Sequence, residues 1–187
     1  MFKELLAAEF KPYAVLSESQ LHQLEEHFSS LNRWNARLNL TRIRDLEDSV
    51  RFHYCESLFL ARSLPAGPLS IVDVGSGGGF PGVPVAILRP ECEVTLVESH
   101  QRKSVFLRES SRQLKNVRVL SKRAEDIGDT FDWLISRAVS ASDILRLSLS
   151  HNVALLIGEQ DTASLDGVAQ AVPWGDRRVL FHVKPRS

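Results

Sequence analysis

The residues best placed to do chemistry lie in Ile71-Val72-Asp73-Val74-Gly75-Ser76-Gly77-Gly78-Gly79-Phe80-Pro81-Gly82. A short apolar run ends in glycines, which let the backbone swing close to a ligand and then enter a helix. The dinucleotide form of such a loop is G-x-G-x-x-G/A, with a pyrophosphate resting on the helix N-terminus. Counted from Gly75, its sixth position is Phe80, whose ring would obstruct the close helix–strand contact. Farther on, the next apolar run ends at Glu98-Ser99. A carboxylate there can accept hydrogen bonds from both hydroxyls of a ribose, a feature that serves several nucleoside ligands.

The elements around these residues follow from apolar periodicity. Residues 1–62 read as helix. Ser17-x-x-Gln20 is a capping-box signature, and Leu21, Leu24, Phe28, Leu31, Trp34 and Leu38 then form one apolar stripe. A second helical run is expected over roughly 46–62, and Pro65-Ala66-Gly67-Pro68 ends the pattern. The expected division is a helical extension over 1–64 and a core over 65–187, the two forming one structural unit. In the core, strands are expected at Leu69–Val74, Cys92–Val97, Val117–Leu120, Phe131–Ile135, Val153–Ile157 and Arg178–Val183. Helices are expected over Phe80–Leu88 and Arg102–Leu114, and Ile144–Leu149 is expected on another. This alternation predicts an α/β fold with a mostly parallel sheet and helices on both faces, ligands binding at the carboxyl ends of the strands.

The pattern apolar-apolar-Asp-apolar-Gly-x-Gly-x-Gly resembles motif I of Rossmann-like class I methyltransferases. The loop would then admit the methionine moiety of S-adenosylmethionine, with the Asp73 carboxylate helping to order it and Gly77 leaving it room. More specific segments are Trp34-Asn35…Asn39-Leu40-Thr41, His53-x-x-Glu56-Ser57, Phe80-Pro81-Gly82-Val83-Pro84, Glu98-Ser99…Arg102-Lys103…Phe106-Leu107, Arg123-Ala124-Glu125 and Ser136-Arg137-Ala138. In this order, over roughly residues 20–160, the chain resembles the bacterial small-subunit rRNA guanine-N7 methyltransferases, also called glucose-inhibited division protein B. The resemblance implies methylation of N7 on one guanine of 16S rRNA. It implies cofactor contacts at Gly75, Phe80, Ala124, Glu125 and Arg137, beside Asp73, Gly77 and Glu98.

Guanine N7 carries a free lone pair, so no acid or base is expected, and orientation matters more. The Asn/Asp-Pro-Pro-aromatic motif of exocyclic-amine methyltransferases has no counterpart; that place holds Ser136-Arg137-Ala138. Neither Cys55 nor Cys92 follows a core strand where a pyrimidine C5 enzyme needs its nucleophile. They are expected to be plain structural residues, without metal-ligand spacing.

Net charge is zero, so only local clusters can argue for nucleic acid. Between Arg102 and Arg123, eight basic residues face Glu109 alone, a local charge of +7. Arg102, Lys103, Arg123 and Arg137 are the RNA-orienting candidates. Arg108, Arg112 and Lys115 read as a solvated helix face. His53 could pair with Glu56 and pin the extension to the core or touch RNA, Asn35 and Asn39 could be cap or turn residues, and Trp34 is expected in the core. The N-terminus lacks an unbroken apolar run, and no stretch approaches the ~18 apolar residues of a membrane span, so a cytoplasmic location is expected. The resemblance implies 16S rRNA or a small-subunit precursor as the partner, and a monomer is expected.

The family's Ala-Leu-Lys-Gly at the end of the fifth strand is here Leu155-Leu156-Ile157-Gly158, without the cation, and the helix before the last strand must be reduced or missing. Ile157→Lys is then expected to raise methyl transfer unless Arg137 or Lys184 already serves, or unless Ile157 is simply buried. The alternatives are a methyltransferase of the same core acting on another RNA or a small molecule, a non-catalytic cofactor- or rRNA-binding protein and, opposed by Phe80, a dinucleotide oxidoreductase.

Overall fold

Capping residues bound the longest of the N-terminal helices at both ends. The computed structural model describes residues 1–184; Pro185, Arg186 and Ser187 lie outside the described residues. Helix α1 spans Phe2–Phe10. Helix α2 spans Glu18–Leu38 and opens on the expected capping box, with Ser17 Oγ accepting from Gln20 N at 3.2 Å and Gln20 Oε1 from Ser17 N at 2.9 Å. It ends at Asn39, which adopts the left-handed conformation (φ 47°, ψ 51°) that asparagine tolerates. The second helical run is continuous in space but not uniform. It comprises α3 (Leu46–Ser49), a π-helical turn over Val50–Cys55 and α4 (Glu56–Ser63).

Seven strands form one sheet: β1 (Ser70–Val74), β2 (Glu93–Val97), β3 (Val117–Leu120), β4 (Trp133–Arg137), β5 (Val153–Gly158), β6 (Gly167–Ala171) and β7 (Arg178–Val183). Their order is β3-β2-β1-β4-β5-β7-β6. The first five are parallel; β7 pairs antiparallel with both β5 and β6. Strand order reverses between β2 and β4, on either side of β1, so the loop after β1 sits at the switch point where α/β sheets bind ligands.

The sheet's two faces are covered unequally. Ile71, Leu96, Ile135, Leu156 and Leu180 point to one face and pack in a single cluster with buried residues of α1, α2, α4, α5 (Gly82–Leu88) and α6 (Gln101–Ser110). Val72, Leu134, Leu155, Ile157, Val179 and Phe181 point to the other. Among the described residues the only α-helix there is the single turn α7 (Ala141–Ile144), joined by 3-10 turns and loops.

Several boundaries differ from expectation. The loop runs on to Pro81, so α5 starts at Gly82, and α6 stops at Ser110. Beyond Ile144 there is no helix to Leu149, because Leu147 and Leu149 bury themselves against the second face from loop backbone. β6 escaped sequence reading because all five of its residues are exposed, with no alternation to reveal it. As expected, no full helix joins β5 to β7; a 3-10 turn (Glu159–Thr162) and β6 take its place.

Candidate active site

The glycine loop is shaped by contacts on both sides. Gly79 has φ +89°, and a Cβ there would lie 2.7 Å from His27 Nε2 and 3.0 Å from Val83 Cγ2. Gly75 has φ +74°, and a Cβ on it would strike Val139 Cγ2 at 2.6 Å. Glycine is therefore required at both positions, by conformation and by space.

Asp73 is fully buried at the end of β1. Its Oδ2 accepts from Gly82 N at 2.9 Å, tying the strand to the start of α5, while Oδ1 has no partner among the described residues. Burial pushes its carboxyl up to about 7. Glu98, at the end of β2, accepts from Gly77 N at 3.1 Å on Oε2 and from His100 N at 2.8 Å on Oε1. A carboxylate offers about four lone-pair sites, so one remains on each oxygen, matching the two hydroxyls of a ribose. Ala124 and Glu125 open a one-turn 3-10 helix after β3. The first N–H groups of such a turn have no acceptor within it, so both residues can donate from the backbone.

Phe80 behaves differently from a ligand contact. Its ring is 4% exposed, stacks on His53 (centroids 4.5 Å apart) and meets His27 and Tyr54 edge-on. Any contact with a ligand must come from its backbone, because the side chain fastens the loop to the helical extension.

Arg137 ends β4 under the same extension. Nη1 donates to Phe52 O at 2.5 Å, Nη2 to His53 Nδ1 at 2.6 Å, and the guanidinium lies 5.4 Å from the Phe80 ring centroid. Burial pulls it down to about 10, so it stays charged at neutral pH. His53 does not pair with Glu56. It is held instead by Arg137 and by Thr41 Oγ1 at 2.7 Å, while Glu56 accepts hydrogen bonds from Nε and Nη2 of Arg178 at 2.5 and 2.7 Å. Asn35 exchanges two hydrogen bonds with the backbone of Thr41, at 2.9 and 3.0 Å. Trp34 packs edge-on to Phe106, with Nε1 donating to Glu109.

A cleft of about 1290 Å³ opens past the ends of β4 and β5. Phe52, Arg137, Val139, Ile157 and Arg177 line it. Because Val139 also abuts Gly75, loop and cleft are neighbours separated by one side chain. Ile157 is 7% exposed and packs in the second-face cluster, which favours the buried reading of this position. Lys184 cannot stand in for a cation there. It follows Val183, which pairs with Val153 at the opposite end of β5, and contacts Asp166.

The basic residues divide by position. Arg102 and Lys103 start α6, and Lys122 and Arg123 follow β3, all at the loop end of the sheet. Among the described residues none of the four makes an ion pair. Arg112 and Lys115 lie past the other end of α6; Arg118 pairs with Asp129, and Glu109 binds Arg33 and Trp34 of α2.

Sequence reading missed His27, although it falls on the apolar stripe between Leu24 and Leu31. It is 1% exposed, with Nδ1 2.9 Å from Tyr54 Oη, and burial lowers it to about 4. The folded state thus resists protonation that the unfolded chain accepts below its ordinary value near 6.5. Its stabilisation is complete above that value and lost as pH falls to about 4, a swing of about 3 kcal/mol. Asp73 works in the opposite sense, since its raised carboxyl takes up a proton as pH falls through about 7. The difference between wild type and His27→Phe isolates the histidine. Chemical denaturation at pH 7 and pH 4.5 is expected to show the variant losing less stability than wild type on acidification.

Comparisons with known proteins agree with this geometry. A family model described as rRNA small subunit methyltransferase G matches residues 20–158. The protein named ribosomal RNA small subunit methyltransferase G from Roseiflexus sp. (strain RS-1) is 42% identical over 133 residues, 67% of this chain and 57% of that protein. The protein of the same name from Chromobacterium violaceum is 41% identical over 138 residues, 71% of this chain and 66% of that protein. The chain thus spans about three fifths of the length of these curated relatives. Among solved structures, a ribosomal protein L11 methylase from Lactobacillus delbrueckii subsp. bulgaricus superposes with a TM-score of 0.55 at 15% identity. That match covers 70% of this chain and 77% of the other, and shows the shared fold. With a family model spanning most of the chain and relatives above 40% identity, the chain belongs to the rRNA small subunit methyltransferase G family.

Proposed function

We propose that the chain transfers a methyl group from S-adenosylmethionine to N7 of a guanine in 16S rRNA, in the cytoplasm. The observation that carries this reading is the meeting, at Val139 and Arg137, of a glycine loop fit for a nucleoside cofactor with a cleft wide enough for a base.

The residues present fit the cofactor. Gly77, where a Cβ would meet nothing closer than 3.8 Å, leaves the loop open, Glu98 keeps two free acceptor sites, and Ala124 and Glu125 can donate from the backbone. Asp73 Oδ1, buried without a partner beneath the loop, is an acceptor in need of a donor. S-adenosylmethionine supplies an electrophilic methyl group on a sulfonium. Guanine N7 needs no deprotonation, so the protein's part is to hold the base in line, worth up to about 7–11 kcal/mol. Arg137, at the border of loop and cleft, is the residue placed to do so. Arg102, Lys103, Lys122 and Arg123 would bind RNA phosphates, the usual source of nucleic-acid affinity.

Tritiated methyl transfer to 30S subunits, naked 16S rRNA and tRNA, followed by mapping of the modified base, tests this reading. Label at a guanine N7 of 16S rRNA is expected, and label on tRNA alone would remove the proposal.

Ile157→Lys follows from the cleft wall. The position is buried among Leu155, Val179 and Phe181, so an ammonium there loses hydration without a partner. The expected result is a lower melting temperature, by about 1–3 kcal/mol of stability, with no gain in transfer. A stable variant with increased transfer would show that the strand end needs a cation.

A further inference from the structure

Arg137 lies 84 residues from His53 in sequence, yet the fold joins it through His53 to Thr41 and Asn35 in one chain of hydrogen bonds. Both side-chain atoms of Asn35 hold the backbone of Thr41. Thr41 Oγ1 accepts from Ile43 N at 3.0 Å and lies 2.7 Å from His53 Nε2. His53 Nδ1 lies 2.6 Å from Arg137 Nη2. Arginine only donates, so Nδ1 must be the acceptor. The imidazole is therefore neutral, with its proton on Nε2 donated to Thr41. An imidazolium would set N–H against N–H, and burial, reinforced by the charge of Arg137, holds His53 well below its ordinary value.

We infer that His53 is a positioning residue for the methyl transfer proposed above: as the Nε2–H tautomer it fixes the Arg137 guanidinium at the border of loop and cleft, while its ring clamps Phe80. His53 is 2% exposed and sits behind both residues, so it acts through them. An arginine side chain has many rotamers, and holding one of them ahead of time spares ordering in the transition state. Phe52 O supplies the second anchor, on the same π-helical turn, so histidine and carbonyl together define both the position and the plane of the guanidinium.

The inference rests on the functional reading, and its test separates the two. Nitrogen-15 histidine spectra of the full chain report the tautomer of each of its six histidines without any substrate. His53 is expected as neutral Nε2–H with a bare Nδ1, whose resonance moves in Arg137→Ala. An imidazolium or Nδ1–H form at neutral pH would overturn the inference alone.

Three variants then probe transfer. In His53→Asn, Oδ1 falls near Nδ1 and keeps an acceptor for Arg137. In His53→Gln, the polar end falls near Nε2 and keeps the contact to Thr41. His53→Phe keeps only the stack. Gln and Phe are expected to lower kcat roughly 10- to 100-fold, the range for a charge-assisted hydrogen bond, with KM for cofactor little changed and Asn retaining most of the rate. A purely structural His53 would instead make Asn, the smallest replacement, at least as damaging as Gln, with all losses tracking melting temperature; that pattern would overturn the inference. Failure of the unsubstituted chain to methylate rRNA would overturn the functional reading and, with it, any role for His53 in transfer.

Discussion

Arg178→Ala is expected to destabilise the protein by about 3–5 kcal/mol, the range for leaving one member of a buried ion pair without its partner. Glu56 is fully buried on α4, and both its oxygens accept from Arg178 at the start of β7, at 2.5 and 2.7 Å. Removing the guanidinium would leave a fully buried carboxylate that water can reach only from the cleft Arg178 lines. Glu56→Gln with Arg178→Met is expected to restore much of the loss, since neutral groups of similar size carry no such penalty. Urea denaturation of the single and double variants measures both effects. An Arg178→Ala loss under about 1 kcal/mol would show that the pair contributes as little as a surface pair.

Arg137→Ala is expected to lower methyl transfer by about 10²–10³-fold, the loss seen when one preorganised donor is removed from a transition state. The accompanying loss of stability is smaller, about 1–3 kcal/mol for leaving His53 Nδ1 and Phe52 O without their donor. Single-turnover transfer to 16S rRNA, with melting temperature on the same sample, separates the two. Unchanged transfer by a folded variant would remove Arg137 from the site.

Legibility in the sequence varied with the range of the cause. The glycine loop was readable because its constraint is local: positive φ at Gly75 and Gly79 admits few other residues. The capping box and the apolar stripe of α2 were readable because neighbours within one helix produce them. β1, β2, β4 and β5 showed as apolar runs, since strands buried on both faces carry little polar residue, and the edge strand β3 as a shorter run around the exposed Arg118. β6 did not show, because an exposed edge strand is held by backbone bonds to β7 that any side chain permits.

The site divides in the same way. The sequence by itself determined the family, the loop, the acidic strand end at Glu98 and the split of basic residues along α6, since each depends on residue type and short spacing. Only the tertiary structure decided what His53, Phe80, Glu56 and Ile157 do. His53 and Glu56 stand three residues apart on one helical run, a spacing that suggests a pair. The fold instead brings Arg137 to one and Arg178 to the other across 84 and 122 residues. Each choice of partner is made by the sheet, which sets the ends of β4 and β7 against that run, and a charge takes whichever partner the backbone delivers to it. Phe80 turns inward and Ile157 stays buried for the same reason: a side chain's role is fixed by what lies across from it, and sequence distance says nothing of that.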